Sequence, residues 1–221
     1  MPRNYSLTDV ANWKFNEVDM PTEWKNHLGE LTENFRMLIQ GPSGHGKTEY
    51  VIQLGKMLAK HYGKVKLNNV EQGKSATLQH AILRNDMDDV KGKFMIDGPA
   101  NREFESWFKD LQRKGSGRVI VLDSLDYMKL TLDQFKRLHE RFKNKSFIII
   151  CWDEPFDPQA KKIKYMCDIK VEVSEYRAKI RSRFGGNKTH IIWQEGYDKI
   201  LQDKIDFRNA IKTKNTPTTI F

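Results

Sequence analysis

Two hydrophobic rhythms alternate along this chain. Phe35-Arg36-Met37-Leu38-Ile39, the run RVIVL at 118–122 and the run SFIIIC at 146–151 are short and almost continuously apolar. Such runs suit strands of a parallel sheet covered on both faces. Between them the apolar residues fall at helical spacing, as with Val51, Ile52, Leu54, Met57 and Leu58 within 49–61, and Phe104, Trp107, Phe108 and Leu111 within 102–113. Further helices are predicted over 75–84 and 131–142, and weaker strands over 64–70 and 93–97. Strands alternating with helical stretches of about ten to fifteen residues predict an α/β fold, with a central, mostly parallel sheet and helices on both faces.

The rhythm changes after Cys151. Residues 152–165 (WDEPFDPQAKKIKY) are polar and basic and predict a loop. Residues 169–173 and 175–184 read as strands, and Gly185-Gly186-Asn187 turns the chain into a last strand over 189–193, so the sheet is expected to end in a C-terminal β-hairpin. A helix over 198–211 and a loose tail follow. At the other end, residues 1–20 predict an irregular arm, and 21–28 a short helix with Pro21 near its first turn, stopped by Gly29. The expected organisation is an N-terminal arm and short helix (1–27), a core (28–195), and a C-terminal helix and tail (196–221), with no linker or internal repeat.

Composition narrows the class. Hydrophobic content of 38% with 30% charged residues describes a soluble globular protein of 221 residues, and no apolar run approaches the length of a membrane span. No membrane partner is expected. The start lacks the apolar stretch of a secretory signal, and Cys151 and Cys167 sit in or beside apolar segments. Both are therefore expected to be buried free thiols in a reducing, cytoplasmic compartment. Net charge is +9, and residues 156–221 hold 14 Lys and Arg against 8 Asp and Glu. That concentration suits a polyanionic partner or, equally, a basic surface kept for solubility.

The chemistry is densest in GPSGHGKT, which fits the phosphate-binding pattern G-x-x-x-x-G-K-[ST] directly after a predicted strand and before a predicted helix. Gly41, Pro42, Ser43, Gly44, His45, Gly46, Lys47 and Thr48 form this loop, and Glu49 completes the expected nucleotide-binding set. Glycines let consecutive N–H groups curl around phosphate oxygens at a helix N-terminus. Lys47 would reach the β and γ phosphates of ATP and Thr48 would hold Mg²⁺. His45 occupies a permissive position and is expected to be an exposed loop residue. Asp123 follows four apolar residues, 75 positions after Thr48, where a strand-end carboxylate can bind Mg²⁺. Glu71 ends the strand after the phosphate-loop helix, where a carboxylate can orient and deprotonate an attacking water. The plainer reading of Glu71 is a surface glutamate in a turn. Its companion Gln72 could make a polar contact.

Taken together, GPSGHGKT, Glu71 placed 24 residues after Lys47, and VIVLDS at 119–124 resemble the RecA-like ATPases. The similarity continues in IKYMCD at 163–168, the strand IKVEV, and Arg181-Ser182-Arg183-Phe184-Gly185, which looks like the K-x-R-F-G element of RadA-type cores with Arg181 in place of Lys. His27-Leu28-Gly29 is similar to that family's Leu-Gly segment. The resemblance implies a RecA-like P-loop NTPase fold, ATP and Mg²⁺ as ligands, and a homo-oligomer, ring or filament, of the kind found among shortened phage or mobile-element ATPases in a bacterial or phage-infected cell.

It also implies roles for particular residues. Arg183 and Arg181 would be catalytic groups reaching a neighbour's γ-phosphate, and Trp152 or Asp153 falls where the family senses that phosphate. A DNA-contacting loop after Cys151 would offer Lys161, Lys162 and Lys164 to phosphates, with Phe156 and Tyr165 for base stacking. A solvated hairpin and an ordinary loop are the plainer readings. The implied function is a Mg²⁺-ATP-dependent ATPase that binds single-stranded DNA in recombination, annealing, repair or replication. The alternative is a regulatory or loader ATPase acting on a protein. A small-molecule kinase is disfavoured by the lack of an Arg-rich lid.

Overall fold

A computed structural model describes residues 4–71, 73–97, 103–154 and 157–214. Gln72, Phe156, Arg102 at the start of a predicted helix, and the tail 215–221 lie outside the described residues. Eight strands form one sheet: β1 (Arg36–Gln40), β2 (Val65–Asn69), β3 (Phe94–Ile96), β4 (Val119–Asp123), β5 (Ser146–Cys151), β6 (Ile169–Ser174), β7 (Arg177–Ser182) and β8 (His190–Ile191). Their spatial order is β3-β2-β4-β5-β1-β6-β7-β8. The first six pair in parallel and the last two join antiparallel. The expected mostly parallel sheet with a terminal hairpin is therefore the observed one. The hairpin turn at Glu175 and Tyr176 has both residues at positive φ, 53° and 57°, the two-residue geometry that matches strand twist.

Nine helices are described: α1 (Leu7–Ala11), α2 (Thr22–Leu28), α3 (Lys47–His61), α4 (Ala76–Arg84), α5 (Phe104–Leu111), α6 (Leu125–Met128), α7 (Leu132–Arg141), α8 (Pro158–Met166) and α9 (Gln194–Lys214). Strand alternation divides the apolar residues between two cores. Val119 and Val121 join Val51, Leu54 and Leu58 of α3 on one face, while Ile120 and Leu122 join Trp107, Phe108 and Phe135 on the other. Each such side chain contributes roughly 1.5–3 kcal/mol on burial. Both cysteines are buried and free. Among the described residues no helix is long and apolar enough to cross a membrane.

Three expectations need correction. The arm is not wholly irregular, because Ser6 and Asp9 form a reciprocal capping box that starts α1. That helix has no buried residue, so no apolar periodicity announced it. The segment read as a DNA loop is largely α8: Asp157 caps the N–H groups of Gln159 and Ala160, Pro158 takes the first turn, and Ala160 and Ile163 enter the core. Pro158 sits in the first turn, where its missing N–H leaves no helix bond unmade. The last strand, β8, is only two residues long, and α9 already begins at Gln194.

Close glycine packing ties the start of the core to its end. Gly29 bridges Gly185, and a Cβ on Gly29 would stand 2.0 Å from the Phe184 carbonyl oxygen. Glu30 N–H donates to that carbonyl and Ser182 Oγ donates to the Leu28 carbonyl. Beside this seam lies a buried histidine pair. His27 Nε2 is 2.8 Å from the Tyr50 hydroxyl and Nδ1 is 2.6 Å from the Lys188 carbonyl, while the His190 ring stacks on Trp24 at 4.6 Å.

Burial holds both histidines well below their ordinary value, at about 4. Their folded pKa is depressed, so the unfolded chain binds protons first as pH falls, and the stability they contribute is lost between about pH 6.5 and about 4. His190→Asn is expected to flatten the fall in melting temperature over that range relative to wild type. Equal slopes in the two proteins, followed by circular dichroism, would contradict this.

Candidate active site

The residues that fit the phosphate-binding pattern lie where β1 ends and α3 begins. Gly46 caps the helix in a left-handed conformation, φ 100°, with its carbonyl accepting from Tyr50 N–H at 2.9 Å. Lys47, Thr48 and Glu49 fill the first turn, where N–H groups point out along the helix axis and favour negative charge. Lys47 Nζ donates to the carbonyls of Gly41 (2.6 Å) and Pro42 (2.9 Å), so the ammonium lies over the loop. Glu49 accepts from Arg84 at 2.7 Å and Asn85 at 2.5 Å. It therefore fastens α3 to the end of α4. Ser43 and Gly44 line the cavity described below.

Parallel pairing brings the two predicted carboxylates to the same edge. Asn69 of β2 stands opposite Asp123 of β4, and Glu71 N–H donates to the Asp123 carbonyl at 2.9 Å. Asp123 is only 3% exposed. Burial, with the nearby charge of Glu71, pushes its carboxyl up to about 7 against the opposing pull of Lys47. Asp123 Oδ2 and Ser124 Oγ are buried without a hydrogen-bond partner. A cavity of about 840 Å³ opens among Lys47, Thr48, Glu71, Asp123, Tyr176 and Trp193.

A divalent cation suits this donor set. Mg²⁺ takes one or two protein oxygens and completes its octahedron with water and substrate phosphates. The unpartnered Asp123 oxygen and the Thr48 hydroxyl could supply the protein's share. Among the described residues there is no cluster of three His, Cys, Asp or Glu that would make an all-protein cage.

Several contacts here had no sequence signal. Trp152 Nε1 donates to Glu71 Oε2 at 3.4 Å, and Trp152 N–H donates to Asp126 at 2.9 Å. The neighbouring Asp153 instead accepts from Gln40 at 3.4 Å, and Gln40 accepts from Lys164 at 2.6 Å. Of the two candidate sensor positions, Trp152 is thus the one touching Glu71. His45 is more than a bystander: its Nδ1 accepts from Glu175 N–H at 3.1 Å and its carbonyl from Tyr176 N–H at 3.3 Å. The hairpin turn is thereby pinned to the phosphate loop. Tyr176 and Trp193 meet edge to face at 4.9 Å and form an aromatic wall with Ile192 beside Gly46.

The remaining predicted residues lie elsewhere. Lys161 and Lys162 are exposed on α8, while Lys164 is held by Gln40 and lies 3.7 Å from Glu172. Arg181, near the end of β7, is level with the middle of β1, and Arg183, just beyond β7, is level with its start, away from their own phosphate loop. Arg183 pairs with Asp168 at 3.4 Å, and Asp168 also binds Arg36 at the start of β1.

No protein-family model matches the chain, and no curated protein does either. Solved structures do match. The flagellar accessory protein FlaH from Methanocaldococcus jannaschii has a TM-score of 0.61 at 12% identity, covering 79% of this chain and 91% of that one. The KaiC-like protein PH0186 from Pyrococcus horikoshii OT3 has a TM-score of 0.59 at 16% identity, covering 80% and 93%. The fold is RecA-like. On this RecA-like frame the phosphate loop, Asp123 and Glu71 converge at the C-terminal edge of the central strands, where open α/β sheets bind ligands.

Protons and a cation would compete for Asp123. With its carboxyl near 7, Mg²⁺-dependent nucleotide binding is expected to tighten from about pH 6 to about pH 8. Asp123→Asn should remove both the Mg²⁺ dependence and that pH dependence. Calorimetric titration checks this, and an affinity flat with pH in wild type would contradict it.

Proposed function

We propose that this chain is a Mg²⁺-ATP-dependent, DNA-binding ATPase of RecA-like type, acting in DNA recombination, annealing, repair or replication. The observation that carries the ATPase part is the convergence of Lys47, Thr48, Glu71 and Asp123 around one cavity. In this reading Lys47 leaves its loop carbonyls for the β and γ phosphates, and the helix N-terminus adds its partial charge. Tyr176 and Trp193 give the nucleobase an apolar surface. Glu71 takes a proton from water as its oxygen bonds to the γ-phosphorus and the bond to the β–γ bridging oxygen breaks, releasing ADP and phosphate. The indole of Trp152 orients the Glu71 carboxylate. Mg²⁺, held by Thr48 and Asp123, would neutralise charge on the phosphate oxygens.

The site is completed between subunits. Arg183 lies level with the start of β1 and Arg181 level with its middle, two strands away, while the phosphate loop follows the end of β1. That separation supports action on a neighbour's nucleotide, where a positive group stabilises charge on the transferred phosphoryl. The DNA part rests on charge: the excess of cations after residue 155 and the exposed lysines of α8. The alternative is a regulatory or loader ATPase with a protein partner. One protein of this fold is a flagellar accessory protein, so the fold alone does not choose.

Glu71→Gln is expected to keep ATP binding while slowing hydrolysis by roughly a hundredfold or more. Arg183→Ala should also bind ATP and lose hydrolysis. Mixing the two should restore activity, because Glu71 of one subunit then meets Arg183 of the other. Absence of rescue at every ratio would contradict the shared site, and normal turnover by Glu71→Gln would contradict its role as base.

A further inference from the structure

On one face of the sheet, α8 is the last helix before the hairpin, and beyond it that face of β6 and β7 contributes nothing to either core. Their burial alternates so that Ile169, Val171, Val173, Ala178 and Ile180 point into the first core. The opposite face carries Lys170, Glu172, Lys179 and Arg181. Between this bare face and α8 runs a cleft of about 1200 Å³, and among the described residues α8 is the only helix that lines it. Lys161, Lys164 and Tyr165 form the α8 wall, and Arg183 with the following loop closes one end.

The cations in this cleft are poorly neutralised. Lys170 stands directly opposite Arg181 across the β6–β7 ladder, and like charges directly opposite destabilise a sheet. Burial and the charges of Arg183 and Lys164 also hold the Lys170 ammonium below its ordinary pKa. Two acids are present: Asp168 is engaged by Arg36 and Arg183, and Glu172, which stands opposite Lys179 in the ladder, lies 3.7 Å from Lys164. Among the described residues Lys161, Lys170, Lys179 and Arg181 make no ion pair. A row of cations without ion pairs along one cleft suits an extended anion.

We propose that this cleft is the track for a single strand of nucleic acid, with Lys170 and Lys179 on its floor and Tyr165 as a stacking platform. The inference rests on the reading of the chain as a DNA-binding ATPase and gives that reading its binding surface. A single strand is indicated because the Tyr165 ring is 73% exposed at the cleft wall, and unpaired bases stack on such rings. The other basic hollow, around Lys64, Lys114, Arg118 and Lys143, is a weaker candidate. There Arg118 is tied to Glu33, Lys145 to Ser116, and no exposed aromatic ring lines the walls.

The cleft also touches the nucleotide site. Lys164 in its wall bonds Gln40, which bonds Asp153, adjacent to the Trp152 that holds Glu71.

The test uses the full chain and a fluorescent oligothymidine. Lys170→Ala with Lys179→Ala is expected to weaken binding about tenfold or more and to flatten the slope of log affinity against log salt by about 1.4, at ~0.7 per single-strand phosphate contact. Tyr165→Ala should weaken binding at least about fivefold with the salt slope unchanged, and Tyr165→Phe should restore it. Basal ATP binding by the lysine variant shows that the fold survives. If wild type binds the oligonucleotide and the lysine variant matches it in affinity and slope, the cleft is not the track, although the DNA-binding reading stands. If wild type at low salt binds no oligonucleotide, the DNA-binding reading fails and the cleft assignment with it, in favour of an acidic protein partner.

Discussion

A parallel sheet covered on both faces leaves its strands only one outlet for polar groups, the strand ends. In this chain the interiors of β1, β4 and β5 are apolar and buried, so residues able to carry chemistry come at the strand ends. Parallel pairing aligns those stops along a single edge. Gln40, Asp123 and Trp152, from strands distant in sequence, therefore stand side by side with Glu71 after β2. The raised carboxyl of Asp123 is the cost of that position: it is nearly dry, beside another acid, and has an oxygen with no hydrogen-bond partner among the described residues. Such a group makes sense where a cation and a phosphate chain arrive together.

The same constraint explains the other end of the sheet. Once α8 has covered β1 and β5, the added antiparallel strands lie beyond the helical layer on one face. Alternation then places cations on that bare surface and apolar residues on the covered one. The phosphate loop is locked to this annex through His45 and the Glu175–Tyr176 turn. Glu175 is in turn paired with Lys204 of α9. Nucleotide loop, hairpin and C-terminal helix thus share one junction.

What the sequence disclosed follows from the range of each interaction. The strand, loop and helix around GPSGHGKT were legible because the pattern lies within eight residues, and the position of Asp123 because an apolar run announces a strand end. The strands and most helices were legible from periodicity. Strand order was not, since it depends on pairing between distant segments. The helix α8 was hidden because Pro158 and its lysines imitate a loop, although Asp157 before Pro158 is a start signal. Nothing local marked the Tyr176–Trp193 wall or the Trp152–Glu71 bond, which exist only once the hairpin and β5 are in place. His45 sits at a position where many residues are allowed, so its anchoring role appears only in the fold.

The central claim is that the groups gathered at the strand ends bind and cleave a nucleoside triphosphate. Steady-state release of phosphate from Mg²⁺-ATP by the purified full chain, beside Lys47→Ala checked for fold by circular dichroism, tests it most directly. The account predicts hydrolysis that requires Mg²⁺ and falls by roughly a hundredfold or more in the variant, the scale seen when a preorganised charge-stabilising donor is removed. Turnover in Lys47→Ala equal to wild type would contradict it.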